Sequence, residues 1–260
     1  MAEQVVLISG ASSGIGQVTA KLLSERGFKV FGTSRKPSGF EKIPGVEVLS
    51  LDVCSDESVS DCVGAVLKNA GRLDILVNNA GYFLNCAIEE ATMEEVKAQF
   101  ETNLFGAVRL IKAVMPIMRE QGSGQIINIS SGLGLFPLPF TGFYAASKFA
   151  LEAYTETLRH EVKPFNIQVS LVEPAFIKTN FMQNTKMAAN QIIDYDPWRQ
   201  RVEEVQLKYV EKAIDPTLVA KRILGIIDNK SPRLRNIVGM DLTLFGGCDE
   251  SYQNPCSKKQ

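Results

Sequence analysis

The sequence predicts an α/β fold, a single domain built on a doubly wound parallel sheet of about seven strands with helices on both faces. Three observations predict it. Short apolar runs alternate with helix-patterned segments along the chain, a glycine-rich turn joins the first run to the first helix, and no linker or fixed-period repeat interrupts the alternation. QVVLISG (4–10) is rich in β-branched residues and ends in glycine, which reads as a buried strand. Residues 14–27 carry Ile15, Val18, Leu22 and Leu23 at helical spacing, with Gly27 as a stop. Residues 28–34 and 46–53 are the second and third strands, and 56–72 a helix whose acidic first turn suits the positive end of the helix dipole. LDILVNNAG (73–81) is a fourth strand running into a turn. A long helix is expected from about Thr92 to Glu120, with Pro116 bending it or ending its regular part. Residues 124–131 are the fifth strand, 142–163 a further helix closed by Pro164, and 166–177 a sixth strand that breaks at Pro174. The stretch 178–212 is polar and methionine-bearing, and a less regular structure is expected there. An amphipathic helix over 215–230, with Pro216 at a tolerated early position, leads to a last strand over 234–240. The domain is expected to span 1–245, and the polar, aperiodic tail 246–260 to be mobile.

Composition excludes several classes. Hydrophobic residues at 45% and charged residues at 22% are those of a folded globular chain, not of a disordered one, a collagen or a coiled coil. Lys plus Arg at 28 against Asp plus Glu at 29 leaves no overall field that would favour nucleic acid or an anionic membrane. No apolar run approaches the roughly 20 residues of a transmembrane segment, and the N-terminus lacks the regions of a signal peptide. Five cysteines (Cys54, Cys62, Cys86, Cys248 and Cys256) without a C-x-x-C pair, and a single histidine, His160, predict a reduced, cytoplasmic protein with no metal site.

After the first strand comes Gly10-Ala11-Ser12-Ser13-Gly14-Ile15-Gly16, leading directly into a helix. Glycines let the backbone turn sharply and leave room for a pyrophosphate, and the helix N-terminus offers free N–H groups and partial positive charge. Glycine spacing alone leaves a ligand-free turn equally open, but the position after the first strand favours a dinucleotide and a Rossmann-like domain. The spacing is Gly-x-x-x-Gly-x-Gly. Together with Asp52, NNAG (78–81), Asn103, Ser131, Tyr144-x-x-x-Lys148 and Pro174 in this order, it resembles the short-chain dehydrogenases/reductases, single-domain branch. The resemblance covers roughly 4–181, more weakly to about 240. It is closest to the hydroxysteroid and retinol dehydrogenase-like members, through SKFALEA (147–153) and an extended lid.

The second strand ends in Gly32-Thr33-Ser34-Arg35-Lys36 with no acid to bind a ribose 2′-OH. Arg35 suits a 2′-phosphate, and Ser12 can add a hydrogen bond, so the cofactor is expected to be NADP(H). A solvated basic pair at Arg35 and Lys36 is the bland alternative. The resemblance makes Asp52 the adenine-contacting aspartate, with Val53 against the ring, and Asn79 the residue near the adenine ribose. Ser55 and Asp56 are better placed than Asp52 to cap the next helix, and Asn79 also lies in a turn sequence. Ser13, Gly14 and Ile15 join the cofactor contacts, as do Pro174, Ile177 and Thr179 of a loop in which Ala175 replaces the family's usual glycine.

Tyr144 and Lys148, four apart on a helix, share one face. A phenol titrates near pKa 10 and is a poor acid–base catalyst at neutral pH; a nearby ammonium is expected to lower that value. Ser131 closes the fifth strand, where open α/β sheets place ligands. Ser130 points to the other side of the strand, with a structural role. The resemblance makes Ser131, Tyr144 and Lys148 catalytic and Asn103 a fourth member, bonding helix backbone and water near Lys148 in a proton relay. It implies hydride transfer between C4 of the nicotinamide and a carbonyl carbon, with Tyr144 as proton donor, Ser131 holding the oxygen and Lys148 contacting the ribose.

Leu133, Leu135, Phe136 and Leu138 after Ser131, and Phe181, Met182, Met187, Ile192, Tyr195 and Trp198 in the expected lid, suggest an apolar substrate cleft, though many would serve equally as core. Substrate contacts are expected from Ser131, Leu133, Tyr144 and Phe181, and the substrate is expected to be a lipophilic alcohol or carbonyl. A 3-oxoacyl-type reductase and a non-enzymatic NADP(H)-binding sensor are the alternatives; the intact Asn103, Ser131, Tyr144 and Lys148 count against the sensor. A serine hydrolase fails for want of a Gly-x-Ser-x-Gly elbow. The resemblance also implies a homodimer or homotetramer, paired through the helices at 92–120 and around Tyr144.

Overall fold

The computed structural model describes residues 3–179, 181 and 185–239. Met182, Cys248, Cys256 and the polar tail 246–260 lie outside the described residues. Seven strands form one sheet: β1 (Val5–Ile8), β2 (Lys29–Ser34), β3 (Val46–Ser50), β4 (Ile75–Asn78), β5 (Gly124–Ile129), β6 (Ile167–Pro174) and β7 (Arg235–Val238). Every pairing is parallel and the order is β3-β2-β1-β4-β5-β6-β7. Alternate residues of one apolar run serve opposite faces. Val5 and Leu7 join Phe31, Leu76 and Ile126 under helices α2 (Asp56–Ala70), α4 (Gly106–Gln121) and α5 (Gly142–Glu161). Val6 and Ile8 join Val30, Val77 and Ile127 under α1 (Gly14–Glu25) and α7 (Pro216–Ile227). A sheet covered on both faces is why these strands read as continuous apolar runs.

The expected long helix at 92–120 is divided. α3 (Met93–Phe100) opens with a capping box between Thr92 and Glu95, and a π-helical turn over Glu101–Phe105 separates it from α4. Pro116 does not end α4, which runs on to Gln121 and closes at Gly122 in the left-handed conformation. Pro116 and Lys112, whose carbonyl loses its partner, both face solvent, while Leu110, Val114 and Met118 continue the buried stripe past them. The stretch expected to be irregular contains a 16-residue helix, α6 (Asp196–Glu211). Among its described side chains Trp198, Leu207 and Val210 are exposed while Arg199 is buried, and Tyr209 stacks on Phe176. Polar anchors hold it, and these leave no periodic signal.

Candidate active site

The glycine turn is built by close backbone contacts. Gly10 has φ +65°, and a Cβ there would lie 2.9 Å from the Ala80 Cα. A Cβ on Gly16 would collide with the Gly10 carbonyl and the Asn79 amide. Asn79 Nδ2 donates to the carbonyls of Ser9 (3.0 Å) and Gly10 (2.9 Å), and the buried Ser9 hydroxyl accepts the N–H groups of Asn79 and Ala80. Asn79 thus braces the turn from β4. Ser13 precedes α1 in extended backbone, its side chain makes no capping bond, and the first turn holds no acid. Ser12 and Ile15 are half-buried and Ser13 exposed. The helix N–H groups therefore remain available to an anion, and the cradle that a Cβ would fill suits a pyrophosphate.

Arg35 and Lys36 are exposed at the end of β2, and neither side chain has an ion-pair partner among the described residues. Asp52 is exposed beyond β3 and accepts the Cys54 N–H, while Ser55 caps α2. Val53 is buried, and a Cβ on Gly106 would come within 2.7 Å of its side chain. Ser12–Gly16, Arg35, Asp52 and Asn79 all follow the carboxyl ends of β1 to β4, along one edge of the sheet.

Ser131 and Tyr144 come together at the next strand end. Ser131 precedes a short helical turn, Gly132–Gly134; its hydroxyl accepts the Leu133 N–H at 3.1 Å and faces the Tyr144 phenol. Lys148, one turn along α5, donates to the Ile129 carbonyl at 2.8 Å, and its Nζ is 5.8 Å from the Tyr144 ring centroid. Phe83 meets the same ring edge-to-face at 4.8 Å, and Phe181 lies 6.2 Å away. Asn103 sits in the π-helical turn, where its unfavourable helix propensity costs little because the ladder is already broken. Its Oδ1 accepts the Tyr82 N–H, and its Nδ2 donates to the Tyr82 carbonyl and the Ser147 hydroxyl. These bonds tie the exit of β4 to α5. Gly81 separates it from Lys148, for a Cβ there would lie 3.1 Å from Asn103 Oδ1 and 3.8 Å from Lys148 Nζ.

Burial controls the titration of this group. The Tyr144 pKa is pushed up to about 12 by desolvation, which Ser131 only partly offsets. Desolvation is the larger influence on the phenol in the protein alone. Lys148 is pushed down to about 8 by burial, against which the charge of Glu152 acts. At neutral pH the phenol therefore holds its proton.

The loop after β6 returns to the glycine turn. Pro174 ends β6, Ile177 bridges to Ile214, and a Cβ on Gly14 would touch Thr179 at 3.4 Å. Phe181 donates its N–H to the Thr179 hydroxyl at 3.3 Å. Beyond it, Lys186–Met187 pairs with Leu84–Asn85. Glu95 accepts the Ala189 N–H, Glu90 accepts the Ile192 N–H and pairs with Arg199, and Tyr195 donates to Glu89. These anchors fasten 186–199 beside an open apolar recess of about 230 Å³ lined by Ala87, Ile88, Pro139, Phe140, Tyr195 and Trp198. Leu133 is half-buried beside Ser131. A polar recess of about 130 Å³ at Gln4, Asp74 and Gln168 lies at the opposite end of the strands, away from this chemistry.

Sequence reasoning missed Ser9, Phe83 and Glu152. The first is the polar residue closing an apolar strand, and the last lies four residues beyond Lys148 on the same helix face; both signals were present. Phe83 had none. His160 is exposed in the last turn of α5, and the described residues hold no cluster of His, Cys, Asp and Glu fit for a metal ion.

The glycine turn, the Ser131–Tyr144–Lys148 group and the strand order accompany a match to the short chain dehydrogenase family model over residues 4–190. The chain belongs to the short-chain dehydrogenase family. This short-chain dehydrogenase is 44% identical over 241 residues to the 3-ketodihydrosphingosine reductase of Bacteroides thetaiotaomicron, covering 92% of this chain and 89% of that one. It is 43% identical over 192 residues to human retinol dehydrogenase 8, covering 69% of this chain and 61% of the relative. A short-chain dehydrogenase from Streptomyces avermitilis shares its fold with a TM-score of 0.83 at 35% identity, over 94% of this chain and 91% of that one. Solved chains of the same fold include one with NADP bound and one with NADH. The protein is thus an oxidoreductase acting on CH–OH groups. No helix among its described residues is long and apolar enough to cross a membrane.

Proposed function

We propose that this short-chain dehydrogenase uses NADP(H) to interconvert a carbonyl and an alcohol on a lipophilic substrate, with a long-chain 3-keto lipid as the first candidate. The observation that carries the chemistry is the buried Tyr144 phenol facing Ser131, one turn from Lys148. Arg35, exposed and unpaired where an acid would bind a 2′-OH, supports NADP(H). The apolar recess beside the lid, and the name of the Bacteroides relative, support the substrate class.

In this reading Gly10, Ser12, Ser13, Gly14, Ile15 and Gly16 hold the pyrophosphate, Arg35 the 2′-phosphate, and Asp52, Val53 and Asn79 the adenosine side. Pro174, Ile177 and Thr179 line the nicotinamide end, with Tyr144 and Lys148 beside the ribose. The nicotinamide supplies the hydride in reduction and accepts it in oxidation. Ser131 donates a hydrogen bond to the substrate oxygen and stabilises the charge that develops there. Tyr144 donates its phenolic proton to that oxygen, giving the alcohol. Lys148 stabilises the phenolate left behind, and Asn103 braces Tyr82 against α5. Leu133 and Phe181 flank the substrate. The free cysteines Cys54, Cys62 and Cys86 support a cytoplasmic setting. The exposed Phe105 and Phe149, on elements that pack together, support a homo-oligomer paired through these helices.

Fluorescence titration with NADPH and NADH, on wild type and Arg35→Glu, tests the cofactor. Tighter NADPH binding that the substitution abolishes is expected; equal binding of both nucleotides, indifferent to the substitution, would sink the NADP(H) assignment. NADPH oxidation with a long-chain 3-keto amine, retinaldehyde, a steroid ketone and a 3-oxoacyl thioester tests the substrate. Preference for the thioester would make the protein a 3-oxoacyl-type reductase instead.

A further inference from the structure

Behind Lys148 lies a group of buried charges that the mechanism above does not use. Glu152 stands one turn further along α5 and is 4% exposed. From β7, Arg235 Nε approaches its Oε2 at 3.3 Å while the same guanidinium holds Glu156 at 3.0 Å. From the end of β5, the Ser130 hydroxyl faces it. From β6 comes Glu173, fully buried, whose Oε2 accepts the Asn236 N–H at 2.7 Å. Gly134 lets these parts meet: a Cβ there would come 2.7 Å from Ser130 Oγ, 3.2 Å from Lys148 Cβ and 3.4 Å from Glu152 Cγ. On its other sides Lys148 meets the Ile129 carbonyl, the Tyr144 ring and, across Gly81, Asn103, and it has no carboxylate in direct contact among the described residues.

Two carboxyl groups buried this close do not both ionise. Glu173 is the one that keeps its proton: burial and the neighbouring Glu152 push it up to about 8. Burial pushes Glu152 up as well, but Ser130, Arg235 and Lys148 all act against that, and the ion pair with Arg235 makes Glu152 the better placed of the two to carry the negative charge. Neither of its carboxylate oxygens is in a well-formed hydrogen bond, and Arg235 is shared with Glu156, so the guanidinium offsets the charge only in part and the remainder acts on Lys148 through a poorly solvated interior.

We propose that Glu152 is a positioning residue that acts through Lys148: its charge, fixed by Arg235 one helical turn behind the ammonium, holds the proton on Lys148 in a buried interior. This rests on the reading that Lys148 works protonated beside Tyr144. The sign follows directly. An anion behind a buried ammonium favours the charged form and burial disfavours it, so removing the anion lets the lysine deprotonate at lower pH.

The test is lysine side-chain NMR on the full-length protein labelled with ¹³C at lysine Cε, with the Lys148 signal assigned by its loss in Lys148→Arg. Wild type, Glu152→Gln, Glu152→Met and Glu173→Gln are titrated, each checked for fold by circular dichroism and melting. Lys148 is expected to titrate at a pH about one unit lower in either Glu152 variant, and to stay in place in Glu173→Gln. An unmoved Lys148 in a folded Glu152 variant would overturn the proposal. The high-pH limb of kcat/KM for carbonyl reduction is expected to move down with it. If Lys148 shifts but wild type reduces no carbonyl substrate, the electrostatic link stands and the catalytic reading fails, so the two failures are separable.

Discussion

Tyr144 is held as a phenol, and its surroundings explain why. Its ring is packed by Phe83 and its hydroxyl meets Ser131, so water is kept away and the proton stays on through neutral pH. That is the state a proton donor needs for reduction, whereas oxidation needs the phenolate and so depends on the charge of Lys148. Tyr144→Phe keeps the ring contact with Phe83 and removes the hydroxyl. NADPH binding and melting temperature are expected to hold while kcat/KM for reduction falls by about 10²- to 10⁴-fold. Activity within tenfold of wild type would assign the proton to another group. Ser131, Tyr144 and Lys148 were legible in the sequence because their spacing carries the chemistry. The direction of the Tyr144 shift was not, since burial is a property of what packs around a residue and not of its neighbours in the chain.

At the scale of elements, the informative pieces are those that depart from regularity. The π-helical turn at 101–105 puts Asn103 where its amide serves Tyr82 and Ser147, a use that no periodic pattern announces. α6 escaped sequence reasoning for a related reason. Among its described side chains the buried pair of Arg199 with Glu90 fastens it, with backbone bonds to Glu90 and Glu95 nearby, and such polar anchors leave no periodic signal. Arg199 also stacks over Phe140, 5.1 Å from its centroid. Arg199→Met would leave Glu90 charged and buried without its cation, at a cost of about 3 kcal/mol. Limited proteolysis is expected to cut within 185–211 faster than in wild type, and KM for a lipophilic substrate to rise with kcat little changed. A variant as resistant as wild type would mean that the remaining backbone bonds suffice to hold the segment.

For the whole molecule, the parallel strands bring the loops that carry the candidate cofactor contacts and Ser131 to one edge of the sheet. The glycine turn follows β1, Arg35 ends β2, Asp52 follows β3, Asn79 follows β4, Ser131 follows β5, and the Pro174–Phe181 loop follows β6. Parts spread over 170 residues of chain (Gly10 to Thr179, both ends included) therefore share that edge. The outer face is less settled by its own chain: Phe105 is 47% and Phe149 42% exposed, with Ala146 and Ala153 also exposed on α5. Apolar rings left open beside small residues suit close packing by a second copy. Phe149→Glu is expected to convert the oligomer to monomer in sedimentation velocity without loss of NADPH binding. An unchanged sedimentation coefficient would put the contact elsewhere.

The sequence by itself determined the alternation of strands and helices, the covered sheet, the glycine turn and the order of the catalytic motifs. Each depends on local periodicity or on short spacings along one chain segment, which sequence preserves. Only the tertiary structure decided that Pro116 lies within α4, that 196–211 is a helix, that Asn103 is a brace, and that Glu152 stands behind Lys148 with Glu173 and Arg235. These outcomes depend on which distant groups share a buried space, and on what desolvation there does to their charge.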